Sequence, residues 1–278
     1  MDDGAPGPRL QRCDGAVDLA FRREGGRTVL DRLYQRAPSR LLFPTPHGDP
    51  EAVLALTSGG LAGGDRVAIA VEVGPGAGAV VAGQAMEKVY RTLDAPARMA
   101  VRLTVGAGAR LAWLPQETIL FDGAGLERRT RVDIAPGGRF LGCEAVLLGR
   151  TARGERFARG LLLDRWEVAR EGRLAWADGL RLDGDVAAAV AAPSGLAGAT
   201  AVGSVVYAGE DAAGLLALAR WELEGAGLRA AAGLVNGLLL ARLVGDGPAL
   251  RAALVRLLAA LRAAALGGPA ALPRVWLV

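Results

Sequence analysis

Residues 66–77 read RVAIAVEVGPGA and residues 98–109 read RMAVRLTVGAGA. Each opens on arginine, alternates apolar and polar side chains, and then runs into a glycine-rich turn. Successive side chains of an extended strand point to opposite faces, so Val67, Ile69, Val71 and Val73 share one face, and Met99, Val101, Leu103 and Val105 share another. A third copy, RTRVDIAPGG at residues 129–138, repeats the pattern with Val132 and Ile134. The turn glycines Gly76, Gly108 and Gly137 recur at intervals of 32 and 29 residues. After each turn the chain extends again, over 79–83, 110–114 and 139–143, and Gln84, Gln116 and Glu144 stand at corresponding places seven or eight residues past the turn. A period near thirty with two strands per unit predicts stacked coils, each burying its face on its neighbours. A β-sandwich has the same local pattern, and spacing alone does not separate the two.

Outside the repeats, strands are expected at 161–168 and 173–177 around a Glu171-Gly172 turn, with a loop and then a strand in 186–209. Beyond Gly198 the texture becomes β-α-β-β-α: strand 201–207, helix 212–223, strands 227–232 and 238–244, and helix 248–266. That last helix has Asp246-Gly247-Pro248 at its start, Leu250, Leu254, Leu257, Leu258 and Leu261 on one face, and Gly267-Gly268-Pro269 at its end. The apolar tail LPRVWLV is expected to dock. The expectation is a mainly β fold, a helical stack of strands with layered sheets and two α-helices in the C-terminal segment. It forms one domain over 1–278, a glycine-turned stack over 1–200 with an α+β segment over 201–278 packed on it.

Composition narrows the function. The chain of 278 residues carries 33 basic side chains against 29 acidic ones, without a basic block or interleaved aromatics, which argues against nucleic acid. Only one basic residue, Lys88, is lysine; it is expected to pair with a carboxylate beside its strand and to fix the 84–91 turn, since a compact ammonium differs from guanidinium in reach and hydration. Two distant cysteines, Cys13 and Cys143, suggest a reducing compartment, and the acidic start MDDGAPGPRL lacks the basic and apolar regions of a signal peptide, so a cytoplasmic location is expected. The uncharged 186–209 stretch is rich in Ala and Gly and broken by Pro193-Ser194-Gly195, too weakly apolar to span a membrane.

Few residues offer chemistry. Tight transition-metal sites want imidazole or thiolate, and this chain has one histidine, His47, with its two scattered cysteines, so no tightly bound cofactor is expected. A weak all-oxygen site from Asp65, Glu87, Glu117, Asp122 or Glu144 stays open. No nucleophile elbow is present, and TSGGLAGGDR at 57–66 lacks the lysine ending of a phosphate loop and leads into a strand. The segment WLPQETILFD at 113–122 has two readings: a carboxylate-dependent β-fold enzyme using Glu117 and Asp122, or a corner in which Pro115 ends one strand and Gln116 satisfies backbone groups.

Taken together, SGGLAGGDR (58–66), QAMEKVYR (84–91), the block WLPQETILFDGAGLERRTRVDIAPGGRFLGCEAVLLGR (113–150) and LPRVW (272–276) resemble the urease accessory protein UreD (UreH) family, in order and over most of the chain. The resemblance implies a non-enzymatic maturation factor that bridges the urease apoprotein to UreF and to the GTPase UreG within a dimeric assembly. It also implies a helical stack of strands through which nickel passes in transit. Asp65, Gln84, Glu117, Asp122 and Glu144 are then the candidate transient contacts. Gly59, Gly60, Gly63, Gly64, Lys88, Tyr90, Arg91, Pro115 and Gln116 are the candidate structural or partner-facing motif residues.

Overall fold

The computed structural model describes residues 12–46 and 48–277; the extreme N-terminus and His47, on which two of the expectations above rest, lie outside them. Four strands precede the repeats: β1 (Asp14–Glu24), β2 (Arg27–Arg36), β3 (Ser39–Leu42) and β4 (Glu51–Leu56). The first coil comprises β5 (Arg66–Val73), β6 (Gly78–Gly83) and β7 (Glu87–Val89), and the second β8 (Ala97–Val105), β9 (Arg110–Leu114) and β10 (Thr118–Leu120). The third comprises β11 (Gly125–Ile134) and β12 (Arg139–Leu148), and a long hairpin follows, β13 (Arg159–Arg170) and β14 (Arg173–Asp185). The chain ends α1 (Val186–Ala191), β15 (Ala201–Ala208), α2 (Leu216–Leu223), β16 (Arg229–Val235), β17 (Leu238–Gly245) and α3 (Gly247–Leu266).

Each coil gives one long strand to each of two sheets. The first sheet has seven strands in the order β14-β13-β11-β8-β5-β1-β2, and the second has ten, in the order β16-β17-β15-β12-β9-β6-β4-β3 with β10 and β7 attached to it. The repeats stack in parallel register: Val73 lies opposite Val105, and Val105 opposite Ile134. This is the solenoid-like stack expected from the period. The two helices expected in the C-terminal segment are α2 and α3, and among the described residues a third precedes them, because 186–209 opens on α1, whose N-terminal Ala188 N–H donates to the Asp185 side chain at 3.1 Å. The C-terminal strands join the stack edge to edge. Strand β15 pairs antiparallel with β12, and β17 with β15, so they prolong the second sheet.

The layers follow from the alternation. Between the sheets, the row Leu19, Val71, Leu103, Val132, Val168 faces Ala79, Leu111 and Phe140 in one buried cluster. The outer face of the second sheet, with Val80, Ala112 and Leu141, is covered by the fully buried Leu250, Leu254, Leu257, Leu258 and Leu261 of α3, each contributing about 1.5–3 kcal/mol. Among the described residues, no helix covers the outer face of the first sheet.

Coil spacing is set at the turns. Gly108 adopts φ 61°, and its N–H donates to Pro136 O of the next coil at 3.0 Å. Gly106 touches the preceding coil: a Cβ there would lie 2.8 Å from Pro75 N, and 2.9 Å from Gly74 C and Val73 O. All three are backbone atoms, which cannot swing aside. Gly106→Ala is therefore expected to destabilise the fold by about 2 kcal/mol or more. Gly233→Ala, at an open site with ordinary φ, should stay within about 1 kcal/mol of wild type in urea unfolding.

Candidate functional site

Four strands send polar side chains into the space between the sheets, where the neighbouring rows are apolar. Along β11 the inward positions are Leu126, Arg128, Thr130, Val132 and Ile134, and along β13 they are Leu162, Asp164, Trp166 and Val168. Parallel register puts Arg128 beside Asp164 and Thr130 beside Trp166, while Glu144 enters from β12. Arg128 Nη2 lies 2.6 Å from Asp164 Oδ2 and Nη1 lies 2.6 Å from Glu144 Oε1; Nε donates to Asp164 Oδ1 at 3.1 Å and Nη1 to Thr118 Oγ1 at 2.8 Å. Trp166 Nε1 donates to Glu144 Oε2 at 2.9 Å. One guanidinium thus serves two carboxylates in the interior, and the cluster carries an excess negative charge when both are ionised.

Electrostatics follow from burial. For Arg128, burial alone would lower the pKa, but Asp164 and Glu144 more than reverse this, and the guanidinium stays charged. Glu144 is pushed up by burial and by Asp164, against the pull of Arg128 and the Trp166 N–H. The cluster borders a cavity of about 180 Å³, lined in part by Gln84, Glu87, Thr118, Arg128, Thr130 and Glu144. That is room for several waters at about 30 Å³ each. Thr130 Oγ1 is buried and has no hydrogen-bond partner, so one polar atom at the cavity is unsatisfied. Exposed Gln84, Ala85 and Lys88 mark where the cavity meets solvent. Just inside, Glu87 is half-buried, and desolvation lifts its carboxyl to about 7 despite the Lys88 N–H and the charges of Lys88 and Arg128.

The sequence candidates divide sharply. Gln84 and Glu144 line the cavity together with Pro115 and Gln116. Asp65 does not: its oxygens accept from Cys13 N and Ala62 N at 2.8 Å each, closing the glycine loop. Asp122 Oδ1 accepts from Ala158 N at 2.9 Å and Arg159 N at 3.0 Å. Glu117 is fully buried on the helical side, 2.7 Å from Arg251 Nη1 of α3. Neither Glu117 nor Asp122 borders the cavity, so the two do not form the paired-carboxylate cleft that an enzyme would use. Among the described residues no group of three or more His, Cys, Asp and Glu could hold a metal ion, and burial keeps the Cys143 thiol protonated.

The motif residues are mostly structural. Leu61 N–H donates to Lys88 O at 2.7 Å, Tyr90 N–H to Leu61 O at 2.8 Å, and Tyr90 OH to Gly59 O at 2.8 Å, so loop 58–66 is stitched to 87–90. The Tyr90 ring meets Phe121 edge-on at 5.0 Å, with Arg150 stacked 4.2 Å from the other ring's centroid. Arg91 bridges to Ala124. The expected Lys88–carboxylate pair is absent among the described residues: Lys88 is exposed, and its backbone carbonyl, not its ammonium, secures the turn. Gln116 satisfies backbone groups as expected, donating to Gly83 O, Gln84 O and Val275 O at 3.2, 3.0 and 2.7 Å. The tail docks on it, with Trp276 Nε1 donating to Leu114 O at 3.1 Å and Arg251 Nη2 to Trp276 O at 2.9 Å.

Arg128, Thr130, Asp164 and Trp166 were not singled out from the sequence. The signal was present: continuing the Val132–Ile134 alternation backwards places Thr130 and Arg128 on the core face.

Comparison with known proteins adds an independent line. The family model described as UreD urease accessory protein matches residues 13–277. A protein of Magnetococcus marinus named urease accessory protein UreD is 44% identical over 274 residues, covering 96% of this chain and 94% of its own length. Proteins of the same name from Methylobacterium sp. (strain 4-46) and Rhizobium rhizogenes are 46% and 43% identical, covering 97% and 99% of this chain and 96% and 99% of their own lengths.

The raised Glu87 pKa has a thermodynamic consequence. The folded protein holds this proton up to about pH 7, whereas the unfolded chain releases it near 4.5. The contribution of Glu87 to stability therefore falls as pH rises from about 4.5 to about 7. Glu87→Gln is expected to remove about 1–3 kcal/mol of that fall, seen as a flatter melting temperature between pH 5 and 7.5. An unchanged pH slope in the variant would show that Glu87 titrates normally.

Proposed function

The chain belongs to the UreD urease accessory protein family, and on that premise we propose that it is a non-enzymatic scaffold that bridges the urease apoprotein to UreF and the GTPase UreG and passes nickel through its polar interior. A role in urease maturation comes with the family. The bridging and the route of the ion are our reading, supported above all by one observation: a cavity whose largely apolar wall carries carboxylate, hydroxyl and amide groups inside an otherwise apolar two-sheet core.

Nickel here is cargo. A cation entering between Gln84 and Glu87 meets oxygen donors and the thioethers of Met86 and Met99 but no imidazole or thiolate, and farther in the Glu144 oxygens already accept from Arg128 and Trp166. Such donors hold a borderline transition ion weakly, because strong retention calls for imidazole or thiolate. Weak retention suits transit. The buried Arg128 compensates the carboxylates while no ion is present, and Glu144, which burial keeps protonated, can release its proton to an arriving cation. The partners would carry the nucleotide chemistry, and the molecule acts in a reducing, cytoplasmic setting within a dimeric assembly.

Co-expression with apo-urease, UreF and UreG tests the reading. Glu144→Leu is nearly isosteric in volume and removes the interior carboxylate. Its expected effect is a drop in nickel-dependent urease activation of at least fivefold with complex recovery unchanged. Full activation by a folded Glu144→Leu protein would overturn the interior route, and wild-type protein that recovers no partner would overturn the scaffold itself.

A further inference from the structure

The two sheets differ on their outer faces. The second is capped by α2, α3 and the tail, whereas the first presents its outward side chains to solvent. In-register stacking turns those side chains into rows across the strands. One row reads Asp14, Arg66, Arg98, Glu127, Leu163; the next Ala16, Ala68, Ala100, Arg129, Arg165; the next Asp18, Ala70, Arg102, Arg131, Glu167. Six arginines, scattered over 66–165 in the sequence, thus meet on one face. Glu127 pairs with Arg98 at 3.0 Å, Glu167 with Arg129 at 2.7 Å and Asp133 with Arg131 at 3.0 Å. Arg66, Arg102 and Arg165 make no ion pair among the described residues and leave an uncompensated positive surplus.

The floor among these arginines is alanine. Ala16, Ala68, Ala70 and Ala100 occupy positions where a solvated strand ordinarily carries Thr or a charged residue, and alanine is a poor strand former. Their short side chains beneath long arginines make a shallow trough. Two hollows of about 520 and 660 Å³ share Ala68, Ala100 and Arg129.

We propose that this trough is a docking surface for an acidic α-helix of a protein partner, an inference that rests on the scaffold reading only in requiring that a partner exist. A helix about 10 Å across spans two to three strands at about 4.8 Å spacing, and an alanine floor lets its backbone approach closely. Side chains four apart on a helix lie about 6 Å from one another, near the ~6.7 Å between alternate residues of a strand. Acidic groups at that interval match the spacing of Arg129 and Arg131, and the surplus charge of Arg66, Arg102 and Arg165 around them draws such a helix in. Charge selects this occupant: a second copy would set arginine against arginine, while Glu127, Asp133 and Glu167 and the lack of aromatics at the sheet's centre disfavour a phosphate backbone.

The test uses the full chain carrying Arg66→Glu, Arg102→Glu and Arg165→Glu together, and separately Ala100→Tyr, which fills the trough without changing charge. Binding of purified apo-urease, UreF and UreG is measured one at a time at low and moderate salt, with melting temperatures confirming the fold. Both variants are expected to weaken the same single partner at least tenfold, and wild-type affinity for that partner should fall with salt. Wild-type affinity of both variants for all three partners would overturn the surface while leaving the scaffold standing. Failure of the wild-type chain to bind any of them would overturn both. Tight binding of a DNA duplex by wild type, lost in the charge variant, would reassign the face and refute the helix.

Discussion

In-register stacking of one coil on the next is the constraint from which the other features descend. Once Val73, Val105 and Ile134 are aligned, every other position in the coils is aligned too, because a slip of one residue would turn each apolar side chain outward. The glycine turns fix the distance between coils, Gly108 by its left-handed backbone and Gly106 by touching the coil below. Rows of equivalent residues then become physical objects. Two rows between the sheets are wholly apolar, and a neighbouring pair becomes polar at β11 and β13. The outward rows collect arginine and alanine in the same way.

A buried guanidinium between two carboxylates is expensive. Desolvating the three charges costs several kcal/mol per ion, and well-packed apolar residues at the same positions would commonly be as stable or more so. This chain has those alternatives at hand, since the adjacent rows are built from Val, Leu and Ile. The surroundings also accommodate the polar cluster at specific places: the missing side chain of Gly142 leaves space where a Cβ would press on Phe140 and approach Trp166 at 3.3 Å, and the Trp166 N–H then reaches Glu144. A polar interior that stability alone would disfavour is the feature that most needs a functional reason.

The repeats, the C-terminal β-α-β-β-α order and the long α3 were legible because period-2 and period-3.6 patterns, glycine turns and helix caps are local signals. Helix α1 was not, since an alanine run beside a Pro-Ser-Gly break resembles a loop. Strands β1 to β4 gave little signal because β2 is an edge strand with mostly exposed side chains and no clean alternation. The interior cluster was missed for a different reason. Charged residues in a strand ordinarily face water, so Arg128 and Asp164 read as surface until register places them beside each other. Asp65 and Asp122 were plausible ligands in the sequence because loop-closing carboxylates and metal-binding carboxylates look alike until their backbone donors are seen.

Glu117 and Glu144 show how one strand corner separates two uses of the same side chain. Pro115 ends β9, and the chain then crosses so that Glu117 points to α3 while Glu144, entering from β12, points between the sheets. Glu117 meets an arginine that also holds the tail carbonyl of Trp276; its work is to fasten the helical layer. Glu144 meets an arginine shared with Asp164, beside unfilled space. Glu117 is sealed beneath the helical layer, whereas Glu144 shares its counter-ion next to a cavity and the unsatisfied Thr130 hydroxyl. The two glutamates thus differ in their surroundings: one closes a contact between layers, and the other faces unfilled space.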